Sequence, residues 1–133
     1  MINLEDKKNI VLSLNDHFVY AGEQSLKLRN KGLIETIKSD NTPVTNGDLE
    51  VNKIITNKIK KLTSEIPIVS EESSLNKENR SLNTFWLVDP IDGTYDYIHN
   101  KDEFTINAAL IIDKKPELGI IYAPAKKRLF YTY

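Results

Sequence analysis

The stretch WLVDPIDGT, residues 86–94, runs an apolar segment straight into two aspartates. Phe85, Trp86, Leu87 and Val88 are all apolar or aromatic, as in a strand buried on both faces. Asp89 ends that run, Pro90 follows, and Asp92 stands three positions after Asp89, ahead of Gly93 and Thr94. Carboxylates crowded at the end of a buried strand repel each other and resist desolvation unless something positive lies between them. No lysine or arginine occurs from Ser81 to Asn100.

A hard divalent cation is the economical counter-charge, because Mg²⁺ is held by carboxylate, carbonyl and water oxygens. The Asp-Pro-Ile-Asp turn can aim both side chains and the Ile91 carbonyl at one point. Glu71 is a third acidic residue at a strand end, just after the apolar stretch Ile66 to Val69. Gly93 lets a backbone N–H approach an anion, and Thr94 adds a hydroxyl. A short helix beginning there favours phosphate at its N-terminus. A metal beside a phosphate seat points to metal-assisted phosphoryl transfer to water.

Singly, these residues have plainer roles. Asp-Pro and Asp-Gly are turn formers, and Ser-Glu-Glu is ordinary loop text. Asp48 falls three after Thr45, the capping-box spacing, so helix capping is its default role. His17 and His99 read as surface residues and Trp86 as core. Their combination and order carry the argument.

The 133 residues suffice for one domain with a sizeable core. With 18 Lys plus Arg against 19 Asp plus Glu, the net charge of -1 leaves no electrostatic footprint for nucleic acid. The absence of cysteine excludes disulfides, thiolate metal sites and a cysteine nucleophile. The charged first ten residues carry no signal-peptide core, and no apolar run approaches a membrane span. A soluble, cytoplasmic chain without an integral membrane segment is expected, with peripheral attachment at the inner face of a membrane left open.

Residues 4–30 have the period of one long helix, with Val11, Leu14, Phe18, Ala21, Ser25 and Leu28 on one face, Gly22 as its weak point and Gly32 as its stop. Leu33, Ile34 and Ile37 mark a short strand-like segment, and residues 39–43 a turn. A second helix is predicted from Thr45 to about Thr63, with Val51, Ile55, Ile59 and Leu62 inward. Strands are predicted at 66–69, 85–88, 104–112, 118–122 and 129–133, a polar surface loop at 73–84 and a short helical segment at 95–100. The fold class is α+β: two long helices packed on a largely antiparallel sheet.

Ser70-Glu71-Glu72-Ser73 followed by Trp86 to Thr94 resembles the inositol monophosphatase superfamily of Mg²⁺-dependent, lithium-sensitive phosphatases. Residues 41–48 (NTPVTNGD), 102–111 (DEFTINAALI) and 119–124 (GIIYAP) are similar to its CysQ-type 3′(2′),5′-bisphosphate nucleotidase branch. The resemblance spans essentially the whole chain but only the first half of the family's αβαβα fold. It implies that Glu71, Asp89 and the Ile91 carbonyl are metal ligands and that Asp92 serves a second ion. Glu71, Asp92, Gly93 and Thr94 then face the substrate's phosphate, and Asp48 with Thr94, beside Glu71, serves water activation. It also implies Mg²⁺ as cofactor and adenosine 3′,5′-bisphosphate as the small-molecule substrate, giving AMP and phosphate, with PAPS as a related substrate. Tyr95 departs from the branch's usual lysine, and Tyr97 from its usual phenylalanine. The family's second half, with a Trp-Asp motif and most of the pocket, has no counterpart in residues 1–133. The alternatives are a non-catalytic truncated or split-gene fragment that binds divalent cation, completed by a separate C-terminal half, and a phosphatase of inositol phosphates.

Overall fold

The computed structural model describes residues 1–72 and 82–133. Most of the loop expected over 73–84, with Ser73 of the Ser-Glu-Glu-Ser quartet, lies outside the described residues. Helix α1 (Leu4–Lys31) starts at a capping box: Asn3 Oδ1 accepts the Asp6 N–H, and an Asp6 carboxylate oxygen accepts the Asn3 N–H. Gly32, at φ 96°, ends it with its N–H donated to the Arg29 carbonyl. Val11, Leu14, Phe18, Ala21 and Ser25 are buried as the period demands, and Gly22 is buried among them without interrupting the helix. Leu28, the last residue of the expected face, is only partly covered.

Two strands, β1 (Glu35–Ile37) and β2 (Pro43–Thr45), form a small antiparallel hairpin. The sequence reading placed Pro43 in a turn and Thr45 at a helix start, and so missed β2. Three residues of apolar-polar text are too few for a period to register. Helix α2 (Asn46–Leu62) follows directly, with Thr45 as its N-cap and Val51, Ile55 and Ile59 buried against α1 and the sheet.

The main sheet has five strands in the order β3 (Ile68–Ser70), β4 (Phe85–Asp92), β5 (Thr105–Ile112), β6 (Lys115–Ala123) and β7 (Arg128–Thr132). All neighbours are antiparallel except β3 and β4, which are parallel with Ser70 opposite Val88. The α+β expectation holds. Strand β4 does not stop at Val88; it runs through the Asp-Pro-Ile-Asp segment with a register irregularity between Asp89 and Asp92. Pro90 explains the break, since it has no N–H for the ladder. Asp113 and Lys114, both at positive φ, close the β5–β6 turn in two residues, so β6 begins three residues before the predicted Leu118.

Both helices cover one face of this sheet. Trp86, Val88, Ile106, Leu110, Leu118 and Ile120 point into that layer and are buried with Phe18, Ile55 and Ile59. Trp86 donates its indole N–H to the Thr63 hydroxyl at 2.9 Å, which satisfies the polar end of a wholly buried ring. β4 is therefore not buried on both faces as its composition suggested: Leu87 is 49% exposed. On the opposite face Asp89, Asn107, Ile121 and Phe130 lie in one cross-strand row, and Leu87, Ala109, Gly119 and Thr132 in the next. Among the described residues, no helix is long and apolar enough to cross a membrane.

Ile121 and Phe130 leave contiguous apolar area on this open face. The 133-residue chain is expected to self-associate with rising concentration. The double substitution Ile121→Glu/Phe130→Glu should lower the light-scattering mass, whereas Leu12→Glu, on the exposed side of α1, should leave it unchanged.

Candidate active site

The end of β4 gathers the acidic residues. The Glu71 N–H donates to the Val88 carbonyl at 3.3 Å, so the parallel ladder runs one residue past β3 and sets Glu71 beside Asp89. Glu72 is drawn inward as well, its side chain 7% exposed, with Lys38 Nζ at 3.7 Å. Asp48 approaches from the start of α2. Its Oδ2 accepts the Thr45 N–H at 2.9 Å and the Thr45 hydroxyl at 2.5 Å, while the Thr45 hydroxyl accepts the Asp48 N–H. Its Oδ1 faces the Thr94 hydroxyl at 3.4 Å. One buried carboxylate thus caps α2 and lies within reach of the Thr94 hydroxyl.

Asp89 carries the electrostatic consequence. Its carboxyl is pushed up to about 7, first by burial and then by the negative charges of Glu71, Asp92, Glu72 and Asp48. Its Oδ1 is buried and has no hydrogen-bond partner among the described residues. A buried carboxylate oxygen without a donor is costly. A divalent cation would satisfy that oxygen and relieve the repulsion in one step. The donor set of carboxylate and carbonyl oxygens suits Mg²⁺ rather than a soft metal.

The expected site residues do not all open into one hollow. Glu71 and Thr94 line a cleft of 690 Å³ with Lys38, Tyr95 and His99. Asp92, which is exposed, and Gly93 line a smaller hollow beside Glu103 and Lys126. Asp89 borders a third, on the open face of the sheet. Among the described residues, no three acidic or histidine side chains form a ready-made cation cluster. Ile91 is buried, and its carbonyl accepts the Thr94 hydroxyl at 3.2 Å, which leaves a second lone pair.

Two glycines allow close packing around the site. Gly93 sits at φ 86°, where a Cβ would lie 2.7 Å from the Glu103 carbonyl oxygen. A Cβ on Gly47 would meet the Tyr97 hydroxyl at 2.0 Å. Tyr97, one of the two departures in the sequence, is buried and donates to the Ser25 carbonyl at 2.7 Å. Burial and the Asp48 charge both hold its phenol well above the usual range. It ties α3 (Thr94–Ile98) to α1 and lies over the start of α2. Sequence reasoning noted the substitution but assigned it no partner. It also gave no role to Lys38, whose place in the cleft comes from a chain crossing that leaves no local pattern, and it read His99 as a surface residue, which is exposed at the edge of the cleft.

The inositol monophosphatase family profile matches residues 13–133. The chain belongs to the inositol monophosphatase family. The 3′(2′),5′-bisphosphate nucleotidase CysQ of Buchnera aphidicola is 45% identical over 107 residues, 78% of this chain and 40% of that protein. The crystal structure of CysQ from Bacteroides thetaiotaomicron, a bacterial member of the family, superposes with a TM-score of 0.76 at 32% identity, covering 98% of this chain and 47% of that one. The extragenic suppressor protein suhB of Bartonella henselae gives 0.80 at 26% identity, covering 94% and 48%. The chain spans less than half the length of each.

Two outcomes follow from the site. Gly47→Ala should destabilise the fold by about 1–3 kcal/mol in urea denaturation, since the buried Tyr97 ring has no room to retreat. For Asp89 the folded value lies above the ordinary 3.8, so the folded state binds the proton more tightly. Stability of the metal-free chain should therefore fall as pH rises from about 4 to about 7. Asp89→Asn should flatten that slope in thermal melts, and an unchanged slope would remove Asp89 as its source.

Proposed function

We propose that this chain is the N-terminal, metal- and phosphate-binding half of a Mg²⁺-dependent phosphatase. Its substrate is adenosine 3′,5′-bisphosphate, hydrolysed to AMP and phosphate, with PAPS as a related substrate and the cytoplasm as its location. The observation that carries the reading is the crowding of negative charge around Asp89, with one carboxylate oxygen buried and unsatisfied. The likeness to proteins named bisphosphate nucleotidases favours a nucleotide over an inositol phosphate.

Glu71, Asp89 and the Ile91 carbonyl would hold one cation, and Asp92 a second. Bound Mg²⁺ supplies Lewis acidity, lowering the pKa of a water and offsetting phosphate charge. The protein's own part is positional. Asp48 is held by Thr45, so its Oδ1 stays aimed at Thr94. The one Thr94 hydroxyl proton has two acceptors in reach, the Ile91 carbonyl at 3.2 Å and Asp48 Oδ1 at 3.4 Å. Turned toward Asp48, the hydroxyl would pass that proton there while accepting one from water, which is general-base assistance through a hydroxyl. Glu71 lines the same cleft and would help orient that water. Gly93, without a Cβ, lets the Glu103 carbonyl pack closely against the turn that leads into Thr94.

The remaining ligand and most of the substrate pocket belong to a second half, in the same or a separate polypeptide. The lack of a ready-made acidic cluster among the described residues favours a second reading of the chain by itself: weak cation binding without turnover.

In calorimetric titration, Asp89→Asn should weaken Mg²⁺ binding by about tenfold or more. Equal affinity in both proteins would remove the metal-site reading. Phosphate release, assayed with the C-terminal half of a CysQ relative added, should require Mg²⁺ and be faster with adenosine 3′,5′-bisphosphate than with inositol 1-phosphate. Faster release from inositol 1-phosphate would move the assignment to the inositol phosphatases.

A further inference from the structure

Tyr95, the residue after Thr94, has surroundings that point to a use. The ring is 63% exposed at the mouth of the cleft that Glu71 and Thr94 line. His99, one helical turn on, stacks against it with centroids 4.0 Å apart and planes 25° from parallel. The His99 ring is fixed in that pose because its Nδ1–H donates to the Tyr95 carbonyl at 2.7 Å. The Lys101 ammonium lies over the Tyr95 ring, 5.5 Å from its centroid, on a flexible stem that can swing aside for a base. A fixed, exposed aromatic stack beside a phosphate seat matches the face of a planar heterocycle, whereas an inositol ring is puckered and studded with hydroxyls.

We propose that the Tyr95–His99 stack is a specificity shelf on which the base of a nucleotide lies while its phosphate occupies the cleft at Glu71 and Thr94. The proposal rests on the phosphatase reading for the phosphate's position, and it adds the element that selects a base. Stacking of a base on an aromatic side chain tolerates any base, so the shelf selects nucleotides as a class and adenine only weakly.

The test is nuclear magnetic resonance titration of the 133-residue chain, following the Tyr95 and His99 ring signals and the Thr94 amide. Mg²⁺ with inorganic phosphate reads the phosphate seat and should move the Thr94 amide. Adenosine, which has no phosphate, reads the shelf alone and should move both rings. With adenosine 3′,5′-bisphosphate, Tyr95→Ala should weaken binding about tenfold, the loss expected of one stacked base, and Tyr95→Phe should restore it. Affinity for inorganic phosphate should be the same in wild type and Tyr95→Phe, and Tyr95→Ala should lower it far less than it lowers nucleotide affinity. Adenosine that leaves both rings unmoved, or equal nucleotide affinity in wild type and Tyr95→Ala, would overturn the shelf. If adenosine moves the rings but Mg²⁺ with phosphate leaves Thr94 unmoved, the phosphate seat fails and the shelf stands as a base site.

Discussion

Thr45 and Asp48 exchange hydrogen bonds across the first turn of α2, and the site is organised around that buried pair. Burying a carboxylate is unfavourable unless its lone pairs are filled. Here the Thr45 N–H and hydroxyl fill one oxygen, and the other faces Thr94. The positive end of the α2 dipole favours the same charge. A residue that would be an ordinary cap on a surface helix thereby becomes a fixed negative group inside the fold. It joins the start of α2 to the segment after β4.

The second constraint is the parallel pairing of β3 with β4. Parallel strands run the same way, so their C-terminal ends lie side by side. Glu71 and Asp89, far apart in sequence, are brought together for that reason. Pro90 breaks the ladder just beyond, and the irregular stretch to Asp92 turns the following residues away from it. The same geometry that collects charge therefore also spreads it. Glu71, Asp89 and Asp92 open toward three different hollows, all around one strand end.

The helices and the sheet make unequal use of their surroundings. One face of the sheet is closed by α1 and α2 and holds the large buried side chains. The other presents Leu87, Ile121 and Phe130 to solvent. The apolar run Phe85 to Val88 of β4, on a sheet with one open face, sets local composition against observed burial, and it lies beside Asp89. Relatives that share this half are about twice as long.

Much was legible in the sequence. Helix periods placed Val11, Leu14 and Phe18, and Val51, Ile55 and Ile59, on their buried faces, because a 3.6-residue repeat is a local property. The five later strands and Gly32 as a helix stop were readable for the same reason: each is marked by its immediate neighbours. Tertiary structure alone decided the rest. It set β3 parallel to β4, left Leu87 exposed, gave the Tyr97 hydroxyl to Ser25, and turned Asp92 away from the cleft that holds Glu71. Those outcomes depend on which segments cross in space, and a chain's local pattern carries charge and period but not the distance between residues remote in sequence.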